Sequence, residues 1–492
     1  MTGFLARPVA LRWLGFFGSV CCAIDGFLFG AARSIRPDVT VWSILRGPNG
    51  VIIMLLWVVG LVAICTAWWK GRHLVGRGIL TPRWVLVTAA LWILPMIFIP
   101  PLASRDMYAY ACQGALFGSG HNPYHDSISA QPCPWIDSVS VRWRFTLTPY
   151  GPLFIPLSAI AAKLGSLTAA IAAFRALAVI SVAGMAAGMY ALARRAGVPV
   201  DRALWLLMCC PLVPLHLVAG GHNDGLTVAF LVAGFALIIG ADRGYPALLA
   251  GGALLGLSMS VKTTIGLVLP FAALLAAGGF AAGGWSRLLR RGGAVLAGAL
   301  GTLLVLSAAT GLGLGWIGAL SNPGESVSWT SPPTAVGIAA DAVGKWFGLH
   351  WNAVPVARTV ALVALAGTLA AIFWHTRNSN QLYGAGLACV ALIFMAPIAQ
   401  PWYLTWALAL FAATLVRTRW FHALIVFSMF TVLPDGDGTL KPLQVPLAFV
   451  MTAVVVWATW RGFAWLRSGL EPTFESLPEP VPGRPEEQAT PA

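Results

Sequence analysis

The chain has 492 residues, of which 58% are hydrophobic and only 10% charged, and its mean hydropathy of +0.79 excludes a water-soluble globular domain. A formal net charge of +14 could point to nucleic acid, but Lys and Arg fall in short clusters between apolar runs, the pattern that orients membrane helices. The expected partner is therefore the lipid bilayer, with no nucleic acid.

A hydrocarbon core about 30 Å thick takes about 20 apolar residues per helix. Arg7 and Arg12 flank the start of the first apolar run, 11–32, which resembles a signal peptide but is long and lacks a clean cleavage context, so a retained first helix is expected. Asp25 lies inside this run with no partner visible in sequence, and no role is assigned to it. Runs 50–69 and 84–102 complete an N-terminal block of spans, residues 1–102.

Residues 103–164 form a polar loop in an otherwise apolar chain. Ser104 suits an N-cap and Asp106 then falls in a first turn, while Gly118 and Gly120 supply a stop, so 107–117 reads as a short surface helix. Asp106, Tyr110, Gln113 and Phe117 follow helical spacing and share a face. Two accounts of Asp106 stay open: a carboxylate favoured by the helix dipole, or a base that takes a proton from an attacking sugar hydroxyl, beside Arg105. "HNPYHD" and "TPYGPLF" add Asn122, Tyr124 and Tyr150; amides bond pairs of hydroxyls and aromatic faces cover the apolar side of a pyranose. Cys112 and Cys133 share the loop, either as a disulfide or as two thiols, whereas the other six cysteines read as small core residues. Run 151–164 is short for a span and is expected to be a re-entrant or interfacial helix.

Spans resume at 173–193, 203–219, 225–241, 246–261, 264–282, 293–316, 356–374, 383–397, 402–416, 421–433 and 442–460, giving an all-α core over 165–460 and about 13 to 14 transmembrane helices in total. Placing the basic clusters in the cytoplasm gathers the mixed polar segments on the other face: 104–150, "GGHND" with His222, Asn223 and Asp224, "SVKTT" with Lys262, 321–334, "QPWY" with Gln400, Trp402 and Tyr403, and "PDGDG". Capping accounts for one of His222, Asn223 and Asp224, and three polar side chains at a membrane boundary point to a ligand or cavity for at least one more. Lys262 either snorkels or pairs with a phosphate. Gln400, Trp402 and Tyr403 suit an aromatic belt or a sugar-stacking platform, and Asp435 and Asp437 suit a turn. Arg33, Arg36 and Arg46 are exceptions to the charge rule, and the acidic, Pro-rich tail within 461–492 is expected to be disordered and cytoplasmic.

Phosphate-binding Gly-rich loops, zinc-spaced His pairs and nucleophile elbows are missing from the sequence, and the cytoplasmic loops are too short for a sugar-nucleotide site, so a donor would arrive from the bilayer. A lipid-linked sugar transporter or flippase is the competing class, but it should carry midplane polar groups and repeat symmetry.

The run "SRDMYAYACQGALFGSGHNPY" with "TPYGPLF", "GGHNDGL", "SVKTT" and "QPWY", in that order, resembles the actinobacterial polyprenol-phosphomannose-dependent α-(1→6)-mannosyltransferases of the GT-C glycosyltransferase class, from about residue 84 to 460. The resemblance implies a GT-C fold with a large first extracytoplasmic loop at the plasma membrane. It implies an inverting transfer from polyprenyl-phosphate mannose to a lipid-linked mannoside acceptor of the lipomannan and lipoarabinomannan backbone. Asp106 would be the base, and Arg105, Lys262 and His222 would be candidates to stabilise the departing phosphate. A divalent metal is allowed but not required, and the sequence shows no convincing ligand set. Many members carry paired acidic residues in this loop; here Arg105 precedes the single Asp106. Mannose comes from the resemblance alone, since arabinose on the same carrier would suit the same side chains.

Overall fold

The computed structural model describes residues 7–31, 39–240, 243–320, 327–467 and 474. Most of the acidic tail, Arg33, Arg36 and residues 321–326 of the polar segment 321–334 lie outside the described residues. Among those described, the chain is helical, and its β-structure is confined to two isolated bridges, Val416 with Phe474 and Val432 with Gly438. Each expected apolar run contains helix among its described residues, but several runs, such as 264–282, 402–416 and 421–433, extend past the helix end.

Among the described residues, six helices are long and apolar enough to cross a bilayer: Pro8–Phe29, Gly50–Gly71, Leu167–Ala196, Gly284–Ala309, Ala353–Thr376 and Lys441–Gly462. A seventh crossing is available if the pair Val200–Met208 and Val213–Ala219, bent by 58°, counts as one span. Pro211 and Pro214 at this break remove backbone donors, which accounts for the bend. Five further apolar helices of 10–17 residues, among them Pro82–Ile97, Asp224–Ile238 and Tyr245–Val261, are shorter than a full crossing, because Gly, Pro and polar residues end them early at the loop side. This is a polytopic membrane protein.

Apolar helix faces behave as a bilayer demands. Helix Ala353–Thr376 leaves Val356, Val360, Val363 and Trp374 exposed, whereas Trp68, Trp92 and Trp205 are buried where the N-terminal helices meet the bent pair. The longest helix, Leu167–Ala196, starts at Ser166, whose side chain accepts the Ala169 N–H at 3.2 Å, and ends at Gly197 in the left-handed conformation (φ 69°). Its buried Arg175 donates to the carbonyls of Met96 and Ile99, which the end of Pro82–Ile97 leaves over. Arg12 and Arg72 lie over the rings of Trp84 and Trp69 at the opposite, basic end.

Two short helices fill the loop after Pro82–Ile97. The expected surface helix runs Asp106–Gly118, and the expected interfacial helix runs Phe154–Ala162. They lie so close that a Cβ on Gly114 would sit 2.1 Å from the Ser158 carbonyl oxygen, so no larger residue fits. Cys112 and Cys133 are joined by a disulfide that ties the surface helix to the loop beyond it.

Candidate active site

Asp106 does not cap its own helix. Arg105 occupies the N-cap position without a side-chain cap, and Ser104 Oγ, one residue further back, accepts the Asp106 N–H at 3.1 Å. The carboxylate is thereby free to point elsewhere. Its Oδ1 accepts the Trp143 indole N–H at 3.1 Å, and its Oδ2 lies 3.2 Å from His222 Nδ1, a close but off-axis contact in which neither imidazole nitrogen makes a well-directed hydrogen bond. The Asp106 side chain is 15% exposed. Burial alone would raise its pKa, but the neighbouring His222, the charge of Lys262 and the Trp143 donor outweigh burial and hold the carboxyl below its usual range.

His222 arrives from "GGHND". Gly221 adopts φ +64° against Met107 of the surface helix, where an added Cβ would stand 2.4 Å from Cε; a side chain there would strain the backbone and have to displace the Met107 side chain. The imidazole stacks on Trp402 with ring centres 3.5 Å apart and planes 17° apart. Asn223 occupies an N-cap position but makes no cap bond, and both polar atoms of its buried side chain lack a protein partner. Asp224, fully buried, accepts the Lys262 ammonium at 2.6 Å and the Trp406 indole N–H at 2.8 Å. Lys262 also lies 4.4 Å from the centre of the Tyr403 ring. It therefore neither snorkels nor stands free, and the two sequence motifs carrying Asp224 and Lys262 meet as one ion pair.

Tyr110 is buried among Tyr150, Phe154 and Phe174, and its hydroxyl lies near Tyr150 and the Asn223 backbone without a well-formed hydrogen bond. Gln113 accepts the Thr148 hydroxyl at 3.2 Å, and its amide nitrogen has no protein partner. Tyr150 is drawn toward Lys262 by backbone bonds from Gly151 and Leu153 to the carbonyls of Val261 and Ser260. Asn122 closes a turn by accepting the Tyr124 N–H, and Tyr124 donates its hydroxyl to the Tyr150 carbonyl at 2.7 Å, so both brace the loop. Trp402 spends one face on His222, Tyr403 stacks on Trp406, and Gln400, half-buried, precedes their 3-10 turn.

Trp143, Trp406 and His216 are absent from the sequence expectation although they belong to this cluster. His216 sits 5.4 Å from the Trp402 ring and 6.1 Å from His222, in the bent segment Val213–Ala219. An indole N–H leaves no trace in hydropathy, and His216 reads as part of an apolar run. "PDGDG" forms the expected turn, with Asp435 Oδ1 accepting the Asp437 N–H, but it also binds the root of the loop through Ala103 N–H to Pro434 O at 2.7 Å. Burial, and then Asp437, push the Asp435 carboxyl up to about 6, opposed by the nearby charge of Arg105. Asp25 is fully buried, and neither of its oxygens has a partner among the described residues. No group of three or more His, Cys, Asp or Glu suited to a metal ion occurs among the described residues.

The family described as alpha-(1->6)-mannopyranosyltransferase, N-terminal domain, matches residues 12–278, and the MptB C-terminal domain matches residues 333–461. The chain belongs to the alpha-(1->6)-mannopyranosyltransferase family. It is 30% identical to alpha-(1->6)-mannopyranosyltransferase A of Mycobacterium tuberculosis over 86% of this chain and 84% of that protein. A probable alpha-(1->6)-mannopyranosyltransferase of Mycolicibacterium smegmatis is 30% identical over 98% and 92% of the two chains, and the A enzyme of Corynebacterium glutamicum is 27% identical over 74% and 78%. No solved structure matches. As a mannopyranosyltransferase, the chain is a glycosyltransferase, and Asp106, His222, Asp224, Lys262 and Trp402 all fall in or between its two matched domains.

Proposed function

We propose that the protein transfers mannose from polyprenyl-phosphate mannose to a lipid-linked mannoside, forming α-(1→6) linkages of a lipomannan-type backbone at the outer face of the plasma membrane. One observation carries this reading: Asp106, held below the usual carboxylate range, is partly exposed on the same helix as Tyr110 and Gln113 and beside the segment of Asn223, and buried polar atoms of these three side chains make no well-formed hydrogen bond. Those atoms are suited to sugar hydroxyls, which both donate and accept.

The acceptor O–H gives its proton to Asp106 as the oxygen attacks the anomeric carbon from the face opposite the phosphate. The anomeric C–O bond breaks and its electron pair leaves on the polyprenyl phosphate, so a β-linked donor gives an α-linked product. Arg105 and Lys262 would offset that departing charge, Lys262 from its anchor on Asp224. The reading divides the chain into N-terminal spans 1–102, a catalytic loop 103–164, a GT-C transmembrane core 165–460 that brings the total to about 13 to 14 spans, and a cytoplasmic tail 461–492.

A disulfide within the loop supports an oxidising, extracytoplasmic location, as does the segregation of basic clusters to the opposite ends of the helices. The test is transfer by the purified chain from labelled polyprenyl-phosphate mannose to a short α-mannoside, with polyprenyl-phosphate arabinose as the competing donor. Mannosyl product that resists cleavage except by an α-(1→6)-mannosidase is expected. Transfer of arabinose alone would reject the donor, and full transfer by Asp106→Asn would reject the base.

A further inference from the structure

We propose that His222 and Trp402 form a positioning pair for the Asp106 carboxylate: the indole face fixes the plane of the imidazole, and the imidazole fixes the rotamer of the carboxylate that meets the acceptor. The inference rests on the reading of Asp106 as the base, and it gives His222 a role other than contact with the donor phosphate.

Enclosure is the first support. The His222 side chain is 0% exposed, one ring face is covered by Trp402 at 3.5 Å, and the His222 backbone N–H reaches the His216 carbonyl at 3.3 Å. A buried ring held on its face and at its backbone has little room to turn toward a phosphate arriving from lipid. It does stand 3.2 Å from Asp106 Oδ2, while Trp143 holds Oδ1 at 3.1 Å. The carboxylate is thus flanked by two rings from separate segments, the Trp143 indole that donates to Oδ1 from the loop and the His222 imidazole that packs against Oδ2 from the helix bundle.

Trp402 supplies the second support. Its motif, "QPWY", is separated from "GGHND" by almost 180 residues of chain, yet the two rings lie within 17° of parallel. An indole in that position immobilises an imidazole at low entropic cost, since both side chains have few rotatable bonds. Such alignment matters because a displacement on the order of 1 Å at a reacting group can cost roughly 100-fold in rate.

The titratable groups facing Asp106 are His222 from the "GGHND" segment, Lys262 from the end of Tyr245–Val261, Tyr110 on its own helix, Tyr150 from the loop and, further off, Tyr403. His222 and Lys262 favour the ionised carboxylate, so removing the imidazole should move the acidic limb of the pH profile to higher pH.

The experiment measures kcat and KM for donor and acceptor across pH with the full-length purified chain carrying His222→Gln, Trp402→Ala or Trp402→Phe, with Asp106→Asn alongside. His222→Gln and Trp402→Ala should each lower kcat roughly 10- to 100-fold with both KM values nearly unchanged, and Trp402→Phe should recover most of the loss because an aromatic face remains. A raised donor KM with unchanged kcat in His222→Gln would make the imidazole a phosphate ligand and overturn the inference while leaving the base intact. Wild-type kinetics in His222→Gln would overturn it equally. Should His222→Gln fail to fold, the Trp402 pair decides: equal kcat in Phe and Ala variants rejects a positioning face. Full activity in Asp106→Asn would instead remove the base reading itself.

Discussion

Asp106 and Asp224 each accept an indole N–H, from Trp143 and Trp406 respectively, and each has a basic side chain in close contact. They differ in what is left over. Asp224 is fully buried and closed by Lys262 at 2.6 Å, so its charge is neutralised inside the protein. Asp106 is 15% exposed, and its basic neighbour is an imidazole at 3.2 Å off the hydrogen-bond axis. The same parts thus make a sealed ion pair in one place and a partly open carboxylate in the other. Closure decides which: a carboxylate whose acceptor sites are filled by an ammonium and an indole holds structure, and one with unused lone pairs at a boundary can take a proton.

Breaking the two carboxylates should therefore produce opposite signatures. Asp106→Asn is expected to lower kcat by about 10²- to 10⁴-fold with the melting temperature of the detergent-solubilised protein unchanged. Because the Asp106 pKa is held down, wild-type activity should persist as pH falls until below the ordinary carboxylate range, and a kcat/KM profile checks this. Asp224→Asn should cost stability above all, about 3–5 kcal/mol, since it strands a buried ammonium; a thermal melt measures it, and Asp224→Asn combined with Lys262→Met should recover much of that stability but not the rate lost with the Lys262 charge. Cys112→Ser sharpens the contrast from the side of the scaffold. The disulfide spans a sequence separation of 21, so its removal should destabilise the loop by about 3 kcal/mol and impair the Asp106 centre more than the Asp224 pair, which rests on helices. Tyr124→Phe, losing one hydrogen bond to the Tyr150 carbonyl, should cost about 1 kcal/mol and leave kcat nearly unchanged, as a melt and a rate measurement on the same sample would record.

Much of this arrangement was legible in the residues. Apolar runs located the helices because burial in lipid demands long apolar stretches, and Ser104, Gly118 and Gly120 bracketed the surface helix. Alternation of basic clusters gathered "SRDMY", "GGHND", "SVKTT" and "QPWY" on one side before any contact was visible. Pairing was not legible. Asp224 with Lys262, and His222 with Trp402, are contacts across 38 and 180 positions, and nothing in local periodicity specifies which aromatic meets which ring. Trp143 and Trp406 escaped for the same reason, while the cap was misplaced by one residue: Asp106 lies in the first turn as expected and Ser104 Oγ takes its N–H, but Arg105 holds the N-cap position. Helix lengths diverged too: the helices bordering the site stop short of a full crossing, since the glycines, prolines and polar residues that shape the site also end the helices.

Arg175 carries a consequence for the membrane itself. A buried arginine on a transmembrane helix ordinarily stretches toward the nearest headgroup, but this one spends its terminal amines on the carbonyls of Met96 and Ile99, a few residues before the loop that bears Asp106. The depth of the loop that bears Asp106 is thus pegged to the helix Leu167–Ala196 by the protein alone. Vesicles of shorter or longer acyl chains would tilt or thin around that fixed unit, and Asp106 would keep its height above Leu167–Ala196 whichever lipid surrounds it.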